Sequence, residues 1–448
     1  MYTNFVSRTT TRRLRSLLSG LTGLAMAALV LSASAATLCV NPGGSHGCTS
    51  TIGAAVSMAA PGDVIQVWPG VYKEQVILTK SLSLIAMSPQ AVIIDAAHLS
   101  TGIWIDGMSA APKPGVANVV ISGFTVRNAN FEGILLSNAS NVTLVDNQVT
   151  DNDRSLDAAS STCPGIPAFE TNEGLDCGEG IHLMAADHST LLRNEVDHNA
   201  GGILISDETG PNAHNLITEN FVHDNVFDCG ITLASHAPAA ITGAKLPFGV
   251  WFNTISRNAS ERNGTQGAGA GVGIFAPFPG TTNTGNVVID NDLRDNGATG
   301  VAMHNHAAPP MAPPVNLNDN VIVGNRFSGN GPDNPGAPTP GPTAINIFSM
   351  GPVTGTVVSQ NTFDNEAIDV AFKAPAGQLN VHFNSFSTGI GVDNMGSGMI
   401  DATENWWNCP SGPNQPHCAT VQGTSITVWP WLTQPFDDDG QDGMHHHD

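Results

Sequence analysis

Positive charge is scarce in this chain, and so are aromatic rings: 16 Lys and Arg stand against 38 Asp and Glu, and 6% of residues are Phe, Trp or Tyr. A formal charge of −22 repels nucleic acid and anionic membrane surfaces, so neither is expected as a partner. It also repels an anionic polysaccharide unless a cation bridges the two. Beyond the first residues no apolar run is long enough to span a bilayer. None of the repeated stretches described below carries a helical period, which argues against a helical bundle.

What the chain does have at its start reads as an export signal. Arg8, Arg12, Arg13 and Arg15 precede an uncharged apolar run from Leu17 to Leu31 and the small residues Ala33-Ser34-Ala35. This predicts a leader over residues 1–35, cut after Ala35 or Ala36, and a secreted or periplasmic product. The Arg12-Arg13 pair hints at twin-arginine export, but Arg15 occupies a place where that signal prefers an apolar residue, which favours the general secretory route. Losing four cations takes the formal charge from −22 to −26. Seven cysteines in an exported chain suggest disulfides, and their spacing suggests Cys39–Cys48, Cys163–Cys177 and Cys409–Cys418. Cys229 is left over, and we expect it to be a buried free thiol. Residues 437–448 read as a disordered acidic, His-rich tail, whose His445-His446-His447 can bind metals without any selected function.

Between leader and tail the chain repeats itself. Asn-x-apolar-x-x-Asn occurs at Asn147–Asn152, Asn194–Asn199, Asn220–Asn225, Asn253–Asn258, Asn291–Asn296 and Asn325–Asn330, with degenerate copies starting at Asn361, Asn384 and Asn405. Successive starts are 47, 26, 33, 38, 34, 36, 23 and 21 residues apart, so a compact coil of just over twenty residues is interrupted by insertions. A solenoid tolerates such variation, whereas a sandwich or barrel does not. A second phrase, Gly-apolar-x-apolar, recurs at Gly133, Gly180, Gly202, Gly230, Gly273 and Gly300, and its alternation is that of a short strand with one face in the core. Asparagine tolerates tight-turn dihedrals and bonds turn backbone groups, so stacked coils would align the asparagines in a ladder along the axis.

These features predict an all-β fold, a single-stranded right-handed parallel β-helix over residues 36–436 with a short N-terminal capping helix. Residues 36–60 would form that cap, with the helix at Thr51 to Ala60, followed by strands at Val64–Val67, Val76–Leu78, Leu82–Ile85 and Val92–Ile94. Residues 404–436 would close the other end with Trp406, Trp407, Trp429 and Trp431. The repeats resemble those of secreted right-handed parallel β-helix proteins, the pectin-lyase-like superfamily, including its NosD-like periplasmic group. The opening phrase from Ala54 through Asp63-Val64-Ile65-Gln66-Val67 and Gly70-Val71-Tyr72 is similar to the start of pectin methylesterases, and Glu404-Asn405-Trp406-Trp407 to the end of bacterial members. The resemblance implies fold far more strongly than function. The catalytic motifs of pectin methylesterases, polygalacturonases and alginate epimerases are missing, which argues against membership in those families.

A candidate site follows from stacking. The x position of the glycine phrase would face solvent as a ladder of Leu135, His182, Leu204, Thr232, Phe275 and Ala302, in which only His182 ionises. Asp176 and Glu179 lie just upstream of it, Asp207 and Glu208 end the next strand, and Asp228 and His236 follow one coil later. The insertion from Asp153 to Gly178 would rise beside them as a cleft wall. Catalytic roles are expected for His182, Glu179, Asp207 and Asp228, and substrate binding for Asp176, His236 and Phe275. Paired carboxylates suit glycoside hydrolysis. A histidine base, with calcium held by Asp176, Asp207 and Asp228, suits β-elimination of a uronate.

The expected function is carbohydrate interaction, with polysaccharide lyase or glycoside hydrolase activity around His182. The alternative is a non-catalytic envelope protein, structural or metal-handling. For the last, His304 and His306 stand two apart and would share a soft metal. The expected partner is a polysaccharide and the expected state a monomer. Structural roles are expected for Arg257, placed between Asp224 and Asp295 of neighbouring coils, and for the proline-rich insertion loop from Gly331 to Pro342, which is expected to bind nothing.

Overall fold

In the computed structural model the described residues are 35–109, 115–170, 177–236, 248–307, 313–333 and 336–436. Residues 1–34 of the expected leader, Asp176 and the tail fall outside them. A strand, Thr37–Val40, comes first and pairs with Val64–Val67; it is followed by a helix, Ile52–Met58, whose N-cap Thr51 accepts a hydrogen bond from the backbone N–H of Ala54. Glu74 caps it further by accepting from the N–H groups of Ile52 and Gly53 at 2.8 and 2.9 Å. Ile52, Ala55 and Val56 turn inward and cover the open end of the strands.

From there the chain runs in circuits. Val64–Val67 belongs to the first sheet, Gly70–Tyr72 to the second and Val76–Leu78 to the third; the next circuit returns at Ser83–Ala86, paired in parallel with Val64–Val67. Repetition builds parallel sheets of fourteen, ten and twelve strands among the described residues, plus a small one of three short strands. The fold is an all-β parallel solenoid with one short helix. Strands of two to seven residues suffice because each circuit lays its Ile, Val and Leu on those of its neighbours, giving one core cluster that runs from Val40 to Ala419.

Three asparagine files hold the turns. In the first, Asn147, Asn194, Asn220, Asn258, Asn291, Asn325, Asn361, Asn384 and Asn405 succeed one another. Each donates its backbone N–H and side-chain amide to the Oδ1 of the next at 2.8–3.1 Å. The second runs Asn152, Asn199, Asn225, Asn263, Asn296 and Asn330. The third, whose phrases at Asn215, Asn286 and Asn320 are not among the expected repeats, runs Asn215, Asn253, Asn286 and Asn320. Asn253 therefore belongs to a different file from the one its phrase suggested, and the frame of that coil moves by five residues. Arg262, not Arg257, grips Asp224, through two bonds of 2.9 Å that hold the Asp224 carboxyl at about 2. Arg257 pairs with Glu219 instead.

The glycines of the second phrase serve close approach. A Cβ on Gly202 would lie 2.2 Å from the carbonyl oxygen of Gly230 in the next coil, and one on Gly133 would lie 2.8 Å from that of Gly180. The same test corrects one register. Gly271 faces Gly300, and Gly273 pairs with Thr232 and Ala302, so the phrase in that coil starts at Gly271 and not at Gly273.

All three expected disulfides are formed and Cys229 is a buried free thiol. Three bridges are those of a protein that folds in an oxidising, extracytoplasmic compartment. No helix among the described residues is long and apolar enough to cross a membrane. The C-terminal closure differs in detail from expectation. Trp407 is fully buried and ends a stack of Phe327, Phe363 and Phe386, but Trp429 is 68% exposed.

Candidate functional site

The pairing of strands fixes what lies beside what. On the outward face of the third sheet, Trp104, Leu135, His182, Leu204, Thr232, Gly273 and Ala302 follow one another in register. Phe275 is not in this file. It stands two residues further along, in the file of Ser206, Ala234, Phe275, His304, Phe348 and Lys373.

The face is not open around His182, as the alternation suggested it would be. Leu135 and His182 are each 1% exposed, because the insertion folds over them as a roof. Cys163 and Cys177 pack on Phe131 together with Leu156 and Ile166, and Phe169 lies over Trp104 with ring centroids 5.7 Å apart. Side chains that leave the core on this face are thus buried a second time.

Beneath the roof His182 reaches into the next coil. His182 Nε2 lies 2.8 Å from Ser206 Oγ, which donates to Glu208 Oε2 at 3.2 Å. Glu208 Oε1 lies 3.9 Å from Nδ1 of His236. The His236 backbone N–H and the Ser235 hydroxyl bond the two Asp207 oxygens at 2.7 and 2.8 Å. Burial pushes the Asp207 carboxyl up to about 6, against the opposing pull of His236 and these two hydrogen bonds. Glu179 pairs with Gly201, and a Cβ placed there would meet Glu179 Cγ at 3.0 Å and Asp228 Cβ at 3.4 Å, so both acids converge on one glycine. Asp176 lies outside the described residues. With both Asp207 oxygens engaged, that carboxylate is a poor ligand for the calcium expected beside it.

Two acids that sequence reasoning overlooked complete the cluster. Glu132, on the turn before strand Ile134–Ser137, and Glu170, on the roof, approach His182 Nδ1 to 3.7 and 3.5 Å. Neither sits in a repeat phrase, so no periodic signal pointed to them.

Further along the same face lies the second expected pair. His304 is buried, whereas His306 falls beyond the end of strand Val301–Asn305 and is exposed. Their rings meet edge to face at 5.2 Å. The proline-rich loop, expected to bind nothing, supplies Asp333, whose Oδ2 lies 2.9 Å from His304 Nε2. The described residues bring three other sets of possible ligand atoms within 4.8 Å of one another, and His304 with His306 is not among them. This pair instead belongs to an aromatic groove. Phe275, His304, His306, Asp333 and Ala337 line a cavity of about 180 Å³. Phe348 stacks on His306 at 5.1 Å, and Lys373 Nζ stands 5.3 Å over the Phe348 ring.

A larger cleft of about 670 Å³ lies at the C-terminal end, lined by Phe363, Asp364, Glu366, Ser387 and Trp406 among others. Burial raises the Glu366 carboxyl there to about 7, and that of Asp369, behind Ser387, to about 8.

Stacked parallel coils with loops thrown over one face define a right-handed parallel β-helix protein. Residues 99–246 match the family described as the right handed beta helix region. Among solved structures the fold is similar to the Dettilon tailspike protein, at 12% identity and a TM-score of 0.54, over 83% of this chain and 64% of that one. It is also similar to the catalytic domain of a GH87 α-1,3-glucanase, at 12% identity and a TM-score of 0.53, over 82% of this chain and 63% of that one. The chain spans somewhat less than two thirds of either. No curated protein matches it in sequence.

Proposed function

We propose that this protein binds polysaccharide along the outward face of its third sheet. The observation that carries the reading is the cavity lined by Phe275, His304, His306 and Asp333, backed by Phe348, which stacks on His306. Rings flanked by a few directed polar groups are what a sugar requires, since its apolar faces stack while its hydroxyls bond. A GH87 glucanase domain similar in fold was crystallised with tetrasaccharides, which supports a saccharide as ligand. In the catalytic form of this reading the acid–base roles fall to Glu179, Asp207, Asp228 and His236. With Asp207 near 6, the chemistry open to them is glycosidic cleavage by hydrolysis or by β-elimination.

A non-catalytic binding protein is the second reading, favoured by the burial of His182 and Asp207 at 1% exposure each. Incubation with neutral and uronate polysaccharides decides between them, following binding, reducing ends and the ultraviolet absorbance of unsaturated uronates. Binding with product that disappears in Asp207→Asn supports the enzyme. Binding without product supports the module, and absence of binding across the panel overturns both.

A further inference from the structure

We propose that Glu132, Glu170 and His182 form a divalent-cation site of zinc type that fastens the 153–178 insertion onto the strand face. This assignment does not depend on the polysaccharide reading. It begins with the ring's tautomer. Ser206 has one hydroxyl hydrogen and donates it to Glu208, so at 2.8 Å it accepts from His182 Nε2–H. The other nitrogen, Nδ1, then presents a lone pair to two carboxylate oxygens, Glu132 Oε1 at 3.7 Å and Glu170 Oε2 at 3.5 Å.

His182 is 1% exposed and Glu132 0%, and neither Nδ1 nor Glu132 Oε1 makes a hydrogen bond. A proton shared between ring and carboxylate would draw them to about 2.8 Å. A tetrahedral cation with bonds of about 2.0–2.1 Å instead holds its ligand atoms roughly 3.3 Å apart. The observed separations lie nearer the second figure, and all three ligand atoms fall within 4.8 Å of one another.

Charge and ligand type agree. Two carboxylates and one divalent ion sum to zero, which removes the penalty of burying two like charges under the roof. One imidazole with two carboxylates suits zinc better than calcium, whose ligands are oxygens alone. The path from His182 Nε2–H through Ser206 to Glu208 is the outer support that a metal-bound histidine normally has, fixing its tautomer and ring plane. Mechanically the ion would tie three separate pieces: the turn bearing Glu132, the strand bearing His182 and the loop bearing Glu170, next to the Cys163–Cys177 bridge.

The test uses the full chain with His445→Ala, His446→Ala and His447→Ala, which silences the tail. The protein is stripped with a chelator, offered Zn²⁺, dialysed and assayed for metal, and its melting temperature is followed. About one equivalent of zinc should remain, with a higher melting temperature than the stripped form. Glu132→Gln and Glu170→Gln keep the side-chain shape and should each weaken zinc binding at least tenfold and abolish the thermal gain. No retained zinc, or zinc retained equally by both variants, overturns the assignment. So does Ca²⁺ displacing Zn²⁺ at equal concentration. Sugar binding is measured separately, so failure of this site and failure of the polysaccharide reading are distinguishable.

Discussion

Glu366 takes the place in an asparagine file that an Asn holds in the coils before it: its Oε1 accepts the backbone N–H of Asn330 at 3.1 Å and the Asn330 side-chain amide at 2.8 Å. Its other oxygen, Oε2, is buried without a hydrogen-bond partner. An uncharged carboxyl suits that setting better than a carboxylate, and burial holds Glu366 at about 7.

Stability should therefore fall as the pH rises. Glu366 and Asp369 bind protons more tightly in the fold than in the unfolded chain, where their values are near 4.5 and 3.8. Their contribution is complete below those values and is lost as the pH climbs through about 7 and about 8 respectively. Thermal melts at constant ionic strength should show a declining midpoint over this window, and Glu366→Gln with Asp369→Asn should flatten the decline. An unchanged slope in the double variant would reject the assignment.

Removing one member from the middle of an asparagine file should be costly. In Asn258→Ala the buried N–H and amide of Asn220 lose their acceptor, and the Ile217 carbonyl loses its donor at 3.0 Å. Each buried group left unsatisfied costs about 1–3 kcal/mol, so a loss of about 3 kcal/mol is expected in urea unfolding.

Gly202→Ala should destabilise by at least about 2 kcal/mol, because its Cβ would lie 2.2 Å from the Gly230 carbonyl oxygen and 2.5 Å from Val222 Cγ1. Gly62→Ala is the control, since its Cβ meets nothing within 4 Å and only its φ of +90° opposes the change. Equal effects at the two positions would show that coil-to-coil approach is not what the repeat glycine serves.

Phe275→Ala should weaken polysaccharide binding about tenfold while leaving the melting temperature nearly unchanged, since its ring is only partly buried. Isothermal titration with the polysaccharide found in the screen measures it. Undiminished affinity would move the binding surface away from this groove.

The fold was legible because its two strongest devices, the Asn phrase and the Gly phrase, are written in residues whose physical role is narrow. The third file was overlooked because its phrases, Asn215–Asn220, Asn286–Asn291 and Asn320–Asn325, each end on an asparagine of the first file, so only one frame per coil was followed; that omission displaced the expected partner of Asp224 from Arg262 to Arg257. Glu366 was within reach, as the glutamate ending an otherwise regular Asn361-x-Phe-x-x-Glu phrase. The site was harder to read. Alternation places His182 outside the core correctly, but whether the outside is wet depends on how an insertion folds, and no period encodes that. Glu132 and Glu170 reach His182 across 50 and 12 residues of sequence respectively.

Each asparagine gives its amide to the next coil and takes the amide of the one before, and this exchange is the same whichever two coils are neighbours. The number of coils is therefore a free variable of the architecture. Excising residues 220–257 would present Asn258 and Asn263 to Asn194 and Asn199, with acceptors in the places Asn220 and Asn225 left. Such a chain lengthens or shortens by whole turns as a ruler does by whole units, so its span can be changed without redesigning either end.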